Sequence, residues 1–186
     1  PVVGVIRSLA LLVYGSTEWQ RTYDSTNFAS LDHALIESTP PPFLYQDAYT
    51  GFGLALDGIG DWNRDGFDDF LITAPWEPSL RDAGSRAGRA YVVYGASDLP
   101  RRMCDVEIAL TIPGLMINSE NSLLHLGYTA CGDGDFDGDG RRDILLAAPF
   151  WKGDCREIRW ADGDSYVYIL WGARDPTFTV DAVVPS

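Results

Sequence analysis

Apolar residues in this chain come in short β-rich runs, and nowhere with the three- and four-residue spacing that gives a helix its apolar stripe. Three of these runs share one shape. They read SLALLVYGS (Ser8 to Ser16), AGRAYVVYGA (Ala87 to Ala96) and GDSYVYILWGA (Gly163 to Ala173), each dense in β-branched and aromatic residues and each closed by a glycine. A further strand candidate follows every glycine: FASLDHALI, DVEIALTI and FTVDAVV. The longest apolar runs, such as LALLVYG and ILLAAPFW, are far short of a membrane span. No basic-then-apolar leader opens the chain, while a start at Pro1 without Met leaves room for a removed signal peptide.

Between the apolar runs lie two acidic loops of one design. GDWNRDGFDDFLITAP (Gly60 to Pro75) and GDFDGDGRRDILLAAP (Gly134 to Pro149) align without a gap. The same alignment superposes Phe52-Gly53 on Leu126-Gly127 upstream and Ala74-Pro75 on Ala148-Pro149 downstream, so loop and flanking turns repeat as one unit. Each full unit reads as four short strands, with the acidic loop joining the first to the second. Four-stranded units at fixed spacing predict an all-β chain of propeller blades. The divisions are 1–48, an incomplete blade and connector, then 49–122 and 123–186, each a blade with an acidic loop. Residues 1–48 offer VVGVI, SLALLVYG and FASLDHALI as strands two to four, without the innermost strand and its loop. STPPPF (Ser38 to Phe43) reads as a stiff polyproline connector.

Composition narrows the partners. With 186 residues, 46% apolar content and 12% aromatic, the chain can bury a core despite its net charge of −13. That charge and the lack of any basic run exclude nucleic acid and anionic membranes as partners and favour cations. Cys104, Cys131 and Cys155 have no C-x-x-C spacing and too few histidines beside them for a zinc site. One disulfide plus a spare thiol, or three thiols, fit equally.

The loops carry the chemistry. In DWNRDGFDD, side-chain oxygens recur at alternate positions, Asp61, Asn63 and Asp65; Gly66 allows a sharp turn, Phe67 can add a carbonyl and Asp69 closes the loop. The second copy supplies Asp135, Asp137, Asp139, the Arg141 carbonyl and Asp143, with Gly140 at the turn. A hard cation such as calcium takes six to eight oxygens at about 2.3–2.6 Å, which a curled backbone provides by turning every second side chain inward. Both loops follow the first half of an EF-hand. Their twelfth positions, Ile72 and Leu146, are not the bidentate Glu of that motif, and the apolar residues there lead into a strand. Two calcium sites are therefore expected.

GFGLALDGIGDWNRDGFDDFLITAPWEP followed by GRAYVVYG resembles an FG-GAP repeat of the integrin α-subunit propeller type, and HLGYTACGDGDFDGDGRRDILLAAPFW followed by SYVYILWG is similar, with Leu126 in place of Phe. The resemblance covers residues 49 to 186. It implies a blade array in which the loop aspartates and Asn63 hold calcium between inner strands.

Two function classes follow. The first is a non-enzymatic, calcium-stabilised structural or adhesion protein, extracellular or at the cell surface, that assembles with copies of itself through unlike ends into a filament or ring. Fewer than three blades are present, propellers need at least four to close, and uncovered blade ends call for a partner. Glycans or surface proteins are further candidate partners. The second class is a carbohydrate-binding or carbohydrate-active module, with Trp76, Trp151, Trp160 and Trp171 as a sugar-stacking surface; core packing is their simpler role. No Ser or Cys nucleophile motif accompanies His33 or His125, and no acid pair stands apart from the loops, so no catalytic residue is assigned.

Overall fold

The computed structural model describes residues 9–15, 32–38, 50–79, 81–82, 85–104, 108, 111–120, 124–149 and 165–172. The expected strands VVGVI and FTVDAVV, most of the STPPPF connector, and Trp151, Trp160 and Cys155 lie outside these residues.

Among the described residues ten strands form, in chain order: β1 (Leu9–Val13), β2 (His33–Glu37), β3 (Leu56–Gly60), β4 (Asp69–Ala74), β5 (Arg89–Val93), β6 (Arg102–Cys104), β7 (Gly114–Asn118), β8 (Thr129–Gly134), β9 (Asp143–Ala148) and β10 (Tyr166–Leu170). They make a first sheet β1-β2-β6, a middle sheet β3-β4-β5-β7 and a third sheet β8-β9-β10. The middle sheet is a complete four-stranded antiparallel blade. In the third, β8, β9 and β10 repeat the pairing of β3, β4 and β5, down to an irregularity after Gly58 in β3 and after Cys131 in β8. A bulge there twists the strand as it enters the acidic loop.

The sheets stack face to face, and the alternation of side chains explains how. On β4 and β5, Leu71, Ala90 and Val92 point into a core shared with Ile144, Leu146 and Ala148 of the third sheet. Their neighbours Ile72, Ala74, Tyr91 and Val93 point the opposite way, into a second core with Ala10, Ala34 and Ile36 of the first sheet. Because side chains alternate across a strand, a central blade flanked on both faces must be apolar at every position. All five residues of β5 are buried, including Arg89, and RAYVV reads as a continuous rather than an alternating run for this reason.

Two strands depart from the sequence expectation. The fourth strand of the middle blade is GLMIN, Gly114–Asn118, and the described residues of DVEIALTI (Ile108, Thr111 and Ile112) lie in no strand. Ile108 instead caps the core between first and middle sheets, and Ile112 packs against that core. The short β6 leaves its own blade and runs parallel to β2 of the first sheet. Met103 enters the shared core, Arg101 stacks over the Tyr14 ring at 4.2 Å and pairs with Asp32 at 2.9 Å, and Arg102 pairs with Glu37. The β5–β7 connection thereby straps the middle blade to the first.

Candidate metal centres

Each acidic loop leaves the inner strand, curls and enters the second strand, β3 to β4 in one case and β8 to β9 in the other. The curl is held by its own acids. In the first loop Asp61 accepts from the Asp65 amide at 2.9 Å and the Gly66 amide at 3.0 Å; in the second, Asp135 accepts from Asp139 at 3.0 Å and Gly140 at 2.9 Å. Asn63 Oδ1 accepts from the Asp65 amide at 3.0 Å, and Asp137 from that of Asp139 at 3.1 Å. One step on, Asp65 accepts from Phe67 at 2.9 Å and Asp139 from Arg141 at 3.0 Å. Phe67 and Arg141 thus hold the seventh position in the same turn of chain.

The ninth-position acids, Asp69 and Asp143, have a second task. Both are buried, at 2% and 1% exposure, although they open their strands. Asp69 Oδ2 accepts from the Trp62 amide at 2.9 Å and the Asn63 amide at 3.2 Å, while its Oδ1 accepts from Gly95 at 2.7 Å. Asp143 repeats this with Phe136 at 2.6 Å and Gly172 at 2.8 Å. Each acid therefore latches the loop to the glycine that closes the blade's third strand. That glycine must lack a side chain: a Cβ on Gly95 would collide with the Asp68 carbonyl oxygen, and one on Gly172 would sit 2.7 Å from the Arg142 carbonyl oxygen. The closing glycines were visible in the sequence only as strand ends. Nothing local in the sequence ties them to acids 26 and 29 residues away.

The electrostatics suit a cation. Burial pushes the Asp69 carboxyl above its ordinary value; the Gly95, Asn63 and Trp62 amides pull it down, and the charge of Asp65 adds to the rise. A positive ion among these oxygens relieves both the desolvation and the mutual repulsion. In the second loop, Asp135, Asp137 and Asp143 bring carboxylate oxygens within 4.8 Å of one another. Two ligands of one calcium ion can lie at most about 5 Å apart, twice a Ca–O bond, so this donor set fits. Asp139 lies outside that cluster, its carboxylate 3.6 Å from Arg141 Nε, and Asp61, Asp65 and Asp69 of the first loop form no such cluster. The first loop has one carboxylate fewer at these positions, Asn63 standing where the second has Asp137, and the Asn63 amide nitrogen donates to Asp65 at 2.8 Å.

The other singled-out residues do not converge. His33 lies in β2 of the first sheet and His125 is buried in the turn before β8. Trp76 follows β4 and packs edge-on against Tyr128, with ring centres 6.4 Å apart. Trp171 follows β10, whose last residue, Leu170, pairs with Ile144 near the start of β9, and so sits at the acidic-loop end of its sheet, opposite in sense to Trp76. Cys131 is an exposed thiol on β8. Sequence reasoning missed a buried cluster beyond β4, in which Glu77 accepts from Arg89 at 2.5 Å and from the Tyr91 hydroxyl at 2.9 Å while Arg89 also donates to the Pro78 carbonyl at 3.1 Å. It braces the turn between second and third strands.

The FG-GAP repeat family matches residues 52–93 and 126–170, which are the two segments from the Phe52-Gly53 and Leu126-Gly127 turns to the third strands. Similar proteins include integrin alpha pat-2 of Caenorhabditis elegans, 30% identical over 63% of this chain and 9% of that protein. Integrin alpha ina-1 of the same organism is 28% identical over 68% of this chain and 10% of its own length. The phosphatidylinositol-glycan-specific phospholipase D of Mus musculus is 32% identical over 55% and 11%. The chain thus spans about a tenth of the length of these relatives. With repeat, stacked blades and paired acidic loops in agreement, this chain carries two FG-GAP repeats and is similar across them to integrin alpha subunits.

Proposed function

We propose that this chain is a calcium-stabilised extracellular building unit of structural or adhesion type, in which two bound ions fix the loops between first and second strands. The carrying observation is that two loops of different sequence fold into matching hydrogen bonds, and that in the second the carboxylates at positions one, three and nine, Asp135, Asp137 and Asp143, already converge. Asp61, Asn63, Asp65, Asp69 and the Phe67 carbonyl would hold one ion; Asp135, Asp137, Asp139, Asp143 and the Arg141 carbonyl would hold the other. Loops of this type can bind weakly enough to require the millimolar calcium found outside cells. The likeness to integrin alpha chains supports the same setting and an adhesion role.

The reading is non-enzymatic. The phospholipase D relative shares a stretch amounting to 11% of its length, which supports a common scaffold rather than a common chemistry. The carbohydrate alternative draws no support from Trp76 and Trp171, which belong to opposite ends of their sheets. Self-association through unlike blade faces completes the proposal.

Calcium titration calorimetry tests the core of it. The expected stoichiometry is two ions per chain, falling to one in Asp65→Ala and one in Asp139→Ala. A wild-type chain that takes up no calcium at millimolar concentration contradicts the reading.

A further inference from the structure

The two acidic loops, 61–69 and 135–143, belong to neighbouring sheets, and the strands that lead into them meet. Each of those strands turns irregular just before its loop, β3 between Gly58 and Gly60 and β8 between Cys131 and Gly134. Three contacts tie the two irregular stretches together. The Gly132 amide donates across the sheets to Asp57 Oδ2 at 2.7 Å. Gly132 also lies so close to the buried Ile59 that a Cβ on it would sit 2.2 Å from Ile59 Cγ2. From the end of loop 135–143, Arg142 reaches back to β3 and donates through Nη1 to the Gly58 carbonyl at 3.1 Å, with Asp133 Oδ1 at 2.7 Å steadying the same nitrogen.

These contacts sit among the candidate ligands. Arg142 holds the eighth position of its loop, between the Arg141 carbonyl and Asp143, so an ion that fixes both neighbours fixes the backbone from which the Arg142 side chain springs. Gly58, whose carbonyl it holds, precedes Asp61 by three residues, and Gly132 precedes Asp135 by the same number. Loop 61–69 has Asp68 at its eighth position, so this arm exists on one loop of the pair. The Arg142 and Asp133 side chains are 46% and 70% exposed, and a screened ion pair of that kind adds little to stability. Its consequence is positional. The loops also differ in readiness: Asp135, Asp137 and Asp143 converge, while Asp61, Asp65 and Asp69 form no such cluster.

We propose that Arg142 couples the two calcium sites, so that an ion in loop 135–143 raises the affinity of loop 61–69. The inference rests on the calcium reading above. The converged loop takes the first ion and fixes Arg142, which together with the Gly132–Asp57 bond holds the turn of β3 from which Asp61 projects. Less of the chain then remains to be ordered when the other ion binds. The coupling is reciprocal, since each ion must change the affinity for the other by the same factor. Two cations repel through space, so without a link of this kind the sites would be independent or weakly antagonistic.

Calcium titration calorimetry measures the coupling. For independent sites, the product of the two stepwise association constants of the wild type equals the product of the single-site constants, read from Asp139→Ala for loop 61–69 and from Asp65→Ala for loop 135–143. The wild-type product should exceed the single-site product by about fivefold or more. Repeating the three measurements in an Arg142→Met background, which keeps an apolar stem and removes the donors, should bring that ratio close to unity. Arg142 is half exposed, so the variant should fold; melting in chelator checks this, with Asp57→Ala breaking the link from the other side and Asp137→Ala standing in for Asp139→Ala where needed. A wild-type ratio at or below unity, or a ratio that both Arg142→Met and Asp57→Ala leave unchanged, overturns the coupling and leaves two calcium sites in place. Uptake of a single ion by the wild type also overturns the coupling, and uptake of none overturns the calcium reading with it.

Discussion

Arg64 and Gly138 occupy the same loop position with nearly the same backbone, at φ 65° and 75°. The left-handed region costs an ordinary residue about 1 kcal/mol or more, and glycine almost nothing, although glycine loses more chain entropy on folding. Arg64→Gly is therefore expected to raise stability by about 0.5 kcal/mol in urea denaturation, and Gly138→Arg to lower it. The latch gives a larger effect. In Gly95→Ala the new methyl meets the Asp68 carbonyl oxygen, so the chain must move and the amide hydrogen bond to Asp69 must lengthen. Overpacking of this kind costs about 1–3 kcal/mol, and the same assay should show a lower midpoint with an unchanged slope. At this scale the sequence was legible where spacing carries meaning: alternate oxygens pointed to inward side chains. It was silent on Asp69 and Asp143 as latches, because their partners Gly95 and Gly172 are 26 and 29 residues away.

Among the elements, β3, β4, β5 and their repeats β8, β9 and β10 could be read directly, since the acidic loop and the closing glycine mark their limits. The fourth strand could not. GLMIN has little β-branched character and follows a more apolar stretch, yet it alone completes the sheet beside β5. The strap β6 was equally hidden, because a three-residue strand pairing with another blade has no local periodicity to reveal it. Its energetics can be separated by substitution. Met103 is 1% exposed within the shared core, so Met103→Ala should cost about 2–5 kcal/mol. Arg102 is largely exposed, and Arg102→Ala should cost less than about 1 kcal/mol despite breaking the pair with Glu37. The turn beyond β4 depends on the buried Glu77–Arg89–Tyr91 cluster. Glu77→Ala leaves the Arg89 charge without its carboxylate and should cost about 3–5 kcal/mol, readable as a large fall in thermal midpoint.

Across the described residues, three stacked sheets share two cores that run on either side of the middle blade, with both acidic loops at the same end of their blades. Stability should therefore be divided between apolar burial, which is insensitive to metal, and the loops, where acids crowd without a counter-ion. The central claim is that calcium holds those loops. Scanning calorimetry of the wild-type chain, in chelator and at a series of free calcium concentrations, tests it most directly. At ten times the dissociation constant each site contributes about 1.4 kcal/mol by mass action, or about 3 kcal/mol for two sites. The melting temperature should rise with free calcium up to and beyond that point, and magnesium at equal concentration should move it less because it demands shorter, near-ideal octahedral bonds and gives up its waters reluctantly. A melting temperature that is the same in chelator and in millimolar calcium would contradict the account.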